Sequence, residues 1–269
     1  WAVGKSELID RSHQGTILHT TDGGQHWAEQ GAELYEGRAR EFFAVHFLDA
    51  QNGWALAESK FPSSNIWLAK TSDAGAHWSW VDTGIEGRLG IGFALVQGDL
   101  DFADSQHGWA MGGLGQVIYT EDGGAHWARQ TLTCDWPTCS KRLFAIDMVN
   151  AQEGWIGGEG LYHSTNGGAQ WAMQPYGPAG ATQPDIHDLR FLDARTAWMA
   201  GSRGMLRHSA DGGANWVPVS SLTYGDLFGL SFLGPRQGWI VGDYGVIVRV
   251  REAPVYLSKL PLIVGGGQR

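Results

Sequence analysis

Three aspartates in this chain are each followed four residues later by a histidine: Asp22 and His26, Asp73 and His77, Asp122 and His126. A carboxylate and an imidazole at that spacing could exchange a proton as general base and acid, or ligate a metal. The surrounding residues argue for neither. Each pair lies in a near-identical octet: TTDGGQHW at 20–27, TSDAGAHW at 71–78 and TEDGGAHW at 120–127. Two more copies, STNGGAQW at 164–171 and SADGGANW at 209–216, lack the histidine, and the first of them has Asn166 in place of aspartate. Asparagine keeps an oxygen that can cap backbone N–H groups but loses the charge, which suits a turn and defeats catalysis. The histidines belong to different copies and no HExxH-type spacing occurs, so no catalytic residue, metal or cofactor is expected.

The elements that position these residues follow from the repeat. Asp-Gly-Gly supplies positive φ without a Cβ clash, and the carboxylate and a preceding Ser or Thr can take up N–H groups of the turn. Each octet follows a short apolar run such as 116–119 (QVIY), and so reads as a hairpin whose closing tryptophan, Trp27, Trp78, Trp127, Trp171 or Trp216, folds back between sheets. The structural set is therefore Asp22, Asp73, Asp122, Asn166 and Asp211 with those five tryptophans. A second phrase precedes four of the turns: FLDAQNGWA at 47–55, FADSQHGWA at 102–110, MVNAQEGWI at 148–156 and FLDARTAWM at 191–199, with FLGPRQGWI at 232–240 standing alone. Together the two phrases give four strands per unit, roughly every 45 residues, the pattern of β-propeller blades.

The second tryptophan series, Trp1, Trp54, Trp109, Trp155, Trp198 and Trp239, counts six units. The expectation is an all-β, single-domain propeller over 1–269 with six four-stranded blades, the alternative being a seven-bladed ring lacking part of its N-terminus. Trp1 already stands in a second strand, so the first blade lacks its first strand. The segment 254–264 is expected to supply the sixth blade's last strand and that missing strand, while an opening in mid-repeat without Met points to processing or truncation.

Nineteen basic against 28 acidic residues give a charge of −9, which excludes general affinity for nucleic acid or anionic membranes. No apolar run is long enough for a spanning helix, and no signal peptide remains in these residues. The two cysteines, Cys134 and Cys139, sit five positions apart in CDWPTC; a small disulfide fits them and points to an oxidising, extracytoplasmic setting. Without histidines at ligand spacing they make no tetrahedral metal site.

The S/T-x-D-x-G-x-x-W turns resemble the Asp-box, or BNR, repeat of sialidases, several glycoside hydrolases and related propellers. The alternation of F-x-D-x-x-x-G-W with T-x-D-G-G-x-x-W over residues 1–250 is similar to the photosystem II stability and assembly factor family of cyanobacteria and chloroplasts, with its bacterial relatives outside photosynthesis. The resemblance implies a non-catalytic propeller of the periplasm, thylakoid lumen or secreted space that binds a protein partner, a membrane-protein assembly intermediate, as a monomer. Members of that family resemble seven-bladed rings and carry an arginine-rich surface; six units are counted here, and no arginine motif matches.

A binding face is expected where loops join the blades and join second strands to third. Long loops there carry Arg38 and Arg40, with Tyr35 and Glu36; Arg88; and Trp136 and Arg142. Shorter ones carry His187, Arg203, Tyr224, Asp226 and Tyr244. Arg38, Arg40, Arg88, Trp136, Arg142, Arg203, Tyr224 and Tyr244 form the candidate surface, its guanidinium groups suited to a carboxylate-bearing partner. The rival reading is a glycoside hydrolase or sialidase, which would draw on Asp185, Asp226, Asp243 and Glu36 as paired carboxylates.

Overall fold

The computed structural model of this protein describes residues 1–7, 13–35, 39–59, 66–85, 98–112, 115–132, 141–235, 237–251 and 256–259. Among the described residues it is all-β apart from three single-turn 3-10 segments. The first sheet contains β1 (Ala2–Glu7), β2 (His13–His19) and β3 (Ala28–Gln30). The second contains β4 (Ala39–Phe47), β5 (Gly53–Ser59), β6 (Ile66–Thr71) and β7 (Ser79–Val81). The third has β8 (Asp99–Phe102), β9 (Gly108–Gly112), β10 (Gln116–Thr120) and β11 (Ala128–Thr131). In the fourth are β12 (Leu143–Met148), β13 (Gly154–Gly158), β14 (Gly160–Ser164) and β15 (Ala172–Gln174). The fifth comprises β16 (Ile186–Phe191), β17 (Ala197–Gly201), β18 (Leu206–Ser209) and β19 (Val217–Pro218), and the sixth β20 (Leu227–Gly234), β21 (Gln237–Gly242), β22 (Val246–Arg251) and β23 (Tyr256–Lys259).

Consecutive strands are neighbours in every sheet, and the six sheets are the blades of a β-propeller. Among the described residues the first sheet has three strands, without a counterpart of the others' first strand. β23 supplies the sixth sheet's last strand, as the sequence led us to expect; residues 260–264, the expected source of the missing strand, lie outside the described residues. The chain divides into two compact units, Trp1–Gly154 with Ser164–Trp171, and Trp155–His163 with Ala172–Arg269.

The octets form hairpin ends by one recurring set of hydrogen bonds. In the third sheet Thr120 Oγ1 donates to Asp122 Oδ1 (2.9 Å) and accepts from Gly124 N (2.9 Å), while Asp122 Oδ1 also accepts from His126 N (2.9 Å). His126 Nδ1 lies 2.6 Å from Asp122 Oδ2. Asn166 repeats the part that matters to the backbone: its Oδ1 accepts from Gln170 N (3.0 Å) and from Ser164 Oγ (3.0 Å). The turn of the second phrase has its own cap, Asp104 Oδ1 receiving Gln106 N and His107 N at 2.7 and 2.8 Å. The two turns of a blade are then joined, Gly123 N donating to Gln106 O at 2.9 Å.

Rings join one blade to the next. In the first unit Trp1 stacks on Phe47 at 4.2 Å, with Trp78 edge-on at 6.1 and 5.9 Å. Trp54 stacks on Phe102 at 4.9 Å, with Trp127 edge-on at 5.8 and 6.2 Å. In the second unit Trp155, Phe191 and Trp216 make the same trio. The indole of Trp54 reaches under the third blade's turn, where a Cβ on Gly124 would collide with it. That glycine also holds φ +85°, so its missing side chain serves both the turn and the neighbour.

Trp78, Trp127, Trp171 and Trp216 are buried, but Trp27 is 46% exposed, contrary to the expectation that all five tryptophans wedge between sheets. The reason is local. Among the described residues its sheet has no counterpart of the strand that elsewhere brings the phenylalanine, and its indole N–H turns back to Gly24 O at 3.1 Å. Carboxylates add polar ties between blades: Asp101, buried, accepts from Met148 N (2.7 Å) and sits 3.1 Å from His46 Nδ1. Asp99 Oδ2 accepts from Ile146 N, and in the second unit Asp188 Oδ2 accepts from Leu230 N. Burial pushes the Asp188 carboxyl upward in pKa.

Three outcomes follow from these joints. Trp127→Ala, which empties a buried ring site, is expected to lower stability by about 3–5 kcal/mol, whereas Trp27→Ala lowers it by less than about 1 kcal/mol; urea unfolding measures both. Ala74 occupies a left-handed position (φ +59°) held by glycine in the other four turns, so Ala74→Gly is expected to stabilise by about 0.5 kcal/mol in the same assay. Hydrogen bonds from the backbone, then the side chain, of His26, His77 and His126 hold Asp22, Asp73 and Asp122 at about 2 against an ordinary 3.8. Their contribution is complete above about pH 4 and is lost as pH falls toward 2. Melting temperatures of Asp122→Asn should therefore fall less than those of the parent across that interval.

Candidate functional site

Two corresponding turns of the second unit carry the exposed side chains that the sequence singled out. Gly201-Ser202-Arg203-Gly204-Met205 joins β17 to β18, and Gly242-Asp243-Tyr244-Gly245-Val246 joins β21 to β22. In each, a single 3-10 turn has its middle residue in the left-handed region, Arg203 at φ 59°, ψ 35° and Tyr244 at φ 57°, ψ 27°. Such a conformation is costly for a residue with a side chain and persists only where the surroundings hold it.

The holding groups are on the loops that lead into β16 and β20. Asp185 O accepts from Ser202 N at 2.9 Å, and Asp226 O accepts from Asp243 N at 2.8 Å. A Cβ on Gly201 or Gly242 would strike those carbonyl oxygens, which explains the glycine that opens each turn. Side-chain carboxylates then link the two turns: Asp226 Oδ1 accepts from Arg203 N at 2.8 Å, and Asp243 Oδ2 accepts from Asp226 N at 3.1 Å. Ser221 Oγ donates to Gly204 O at 2.6 Å, fastening the 221–226 loop to the first turn. Beneath, His187 stacks on Phe228 at 5.1 Å, with Nδ1 3.0 Å from Leu227 O and Nε2 3.2 Å from Ser202 Oγ. The Nδ1 proton is thus directed to a carbonyl, and Nε2 accepts from the Ser202 hydroxyl.

Above this network Tyr224 is 96% exposed and Tyr244 91%, with Arg203 exposed and Phe228 and Leu222 partly so. Two rigidly mounted phenols and a guanidinium offer contact area, hydrogen bonding and cation recognition at low entropic cost. The carboxylates of Asp226 and Asp243, two of the four on which the hydrolase reading draws, each commit an oxygen to a backbone N–H group.

Of the expected surface, Arg203, Tyr224 and Tyr244 come together, with His187 and Asp226 beside them. Arg142 is in the first unit, its guanidinium 5.5 Å from the Phe144 ring centre. Arg38, Arg88, Trp136, Cys134, Cys139 and Glu36 lie outside the described residues, as do the side chains of Arg40 and Tyr35. Sequence reasoning did not foresee that Asp226 and Asp243 fix the turns. The signal available was the paired G-S-R-G and G-D-Y-G spelling, each following a loop that ends in aspartate. Among the described residues no group of three or more His, Cys, Asp or Glu side chains could hold a metal ion, and no helix is long and apolar enough to cross a membrane.

The blades, the octet turns and the ring joints define an Asp-box β-propeller. A family profile described as photosynthesis system II assembly factor YCF48 matches residues 87–178 and 173–251. The chain belongs to that family. It is 35% identical over 121 residues to the photosystem II assembly lipoprotein Ycf48 of Synechococcus sp. (strain CC9902), a match covering 44% of this chain and 35% of that protein. It is 27% identical over 243 residues to a xyloglucanase of Paenibacillus sp., covering 81% of this chain and 20% of the enzyme. The matches thus span about a third and a fifth of those relatives' own lengths. A solved structure of YCF48 bound to D1 peptide superposes with a TM-score of 0.62 at 18% identity, over 92% of this chain and 77% of that one, a likeness of fold.

Proposed function

We propose that this chain is a non-catalytic, extracytoplasmic and monomeric propeller that binds a protein segment, part of a membrane-protein assembly intermediate. The observation that carries the reading is the second unit's surface, where Arg203 and Tyr244 project from turns locked by Asp226 and Asp243, and Tyr224 from the loop that ends in Asp226. Support comes from the family, from a relative named as an assembly lipoprotein and from a propeller of like fold solved with a peptide. Exposed tyrosines on a fixed backbone suit an extended peptide, whose apolar residues lie against the rings while Arg203 takes a carboxylate.

The xyloglucanase relative favours a second reading, a glycoside hydrolase using Asp226 and Asp243. The geometry gives both carboxylates scaffold work, so removing either would disturb the turns before any chemistry.

Fluorescence anisotropy with a labelled D1 peptide tests the first reading. Binding is expected for the parent, and Arg203→Glu combined with Tyr244→Ala should weaken it by about tenfold or more with an unchanged melting temperature. Equal affinity of parent and variant would remove this surface from the proposal. Turnover of xyloglucan, a fluorogenic β-glucoside or a fluorogenic sialoside by the parent, lost in Asp226→Asn at an unchanged melting temperature, would establish the enzyme instead.

A further inference from the structure

A cleft of about 480 Å³ opens in the first unit beside the fourth Asp-box turn. It coincides with a change in the way adjacent blades are joined. Between the second and third sheets, Trp54 fills the space under Gly124 and stacks on Phe102, and Lys70 Nζ donates to Gly123 O at 3.0 Å. At the next joint Met148 stands where Phe47 and Phe102 stand in the earlier blades. The space under Gly168 is taken by the Gln130 side chain in place of an indole. Gln130 Nε2 and Trp109 Nε1 both donate to Gly167 O, at 2.8 and 3.1 Å.

Outside this polar joint the cleft is walled by Tyr119 on β10, Glu121 in the third turn, Arg129 on β11, Gln152 in the β12–β13 turn and Asn166 in the fourth octet. We propose that it binds a neutral, hydroxyl-rich ligand, a mono- or disaccharide unit. Four chemical features support this class. Carboxylate, guanidinium and amide groups are planar and present paired atoms at a spacing that adjacent hydroxyls can meet two at a time. The half-buried Tyr119 ring gives an aromatic face for the C–H side of a sugar. Glu121 and Arg129 have opposite charges, so the walls do not select an ion of either sign. The volume lies within the usual range for small-molecule sites, roughly 300–1,000 Å³.

A free oligosaccharide and the sugar headgroup of a neutral glycolipid share this chemistry. The site is in the first unit and its ligand is not the peptide proposed above, so either proposal can fail alone.

The test uses the whole chain. Titration with cellobiose and lactose in the millimolar range, followed by saturation-transfer NMR, is run beside co-sedimentation with phosphatidylcholine vesicles with and without a neutral glycosyl-diacylglycerol. Binding of a free disaccharide assigns the site to soluble sugars, and binding only to the glycolipid vesicles assigns it to a headgroup; both support the proposal. Glu121→Ala places alanine where the fifth octet has Ala210, and so leaves the turn intact. With Gln152→Ala added, affinity is expected to fall about tenfold at an unchanged melting temperature. Failure of the parent to bind any of these probes, or unaltered affinity in the double variant, overturns the proposal.

Discussion

The structure depends on an indole from one blade occupying the hollow under the next blade's glycine. Trp1 under Gly75, Trp54 under Gly124 and Trp155 under Gly213 are three instances of one fit. The fit makes demands in two directions. The turn must have a residue without Cβ at a left-handed position, and the neighbour must have its tryptophan at the start of a second strand. Asp and Thr or Ser keep the turn in shape while it is being packed against, so a small polar motif sets the geometry of a large apolar joint. Hydrophobic burial supplies the driving force, and the hydrogen bonds decide where it is spent.

Much of this was legible in the sequence because the repeat is both strong and physical. The octet announces a hairpin through Asp-Gly-Gly, and the FLDAQNGW phrase announces another. Their alternation gave six blades, and Asn166 accepts a backbone N–H as the aspartates of the other octets do. Trp27 is exposed although its octet is complete, because the octet says nothing about its neighbour: among the described residues no partner strand is set against its ring. Period and spelling report what a segment can do, whereas burial depends on what is set against it.

The candidate surface was legible only in part, for a similar reason. Arg203, Tyr224 and Tyr244 could be placed on loops from the strand pattern; Arg203 and Tyr244 hold corresponding positions in the fifth and sixth blades, and Tyr224 lies on the loop that leads into β20. The carboxylate links from Asp226 to Arg203 N and from Asp243 to Asp226 N join residues 23 and 17 positions apart, beyond any local pattern. The arginines share little beyond their type: Arg142 lies over a phenyl ring in the first unit, while Arg203 is on a strained turn in the second. A basic surface read from residue type alone therefore combined side chains with different settings.

The left-handed turns that lift Arg203 and Tyr244 have a bearing on how such a surface changes over time. Their backbone shape is fixed by flanking glycines and by carbonyls and carboxylates on adjoining loops, so the identity of the lifted residue matters little to the sheet below. An arginine and a tyrosine already occupy the same structural slot in neighbouring blades. The slot is a display position of fixed backbone shape that carries different side chains in the two blades while the strands beneath keep their pairing.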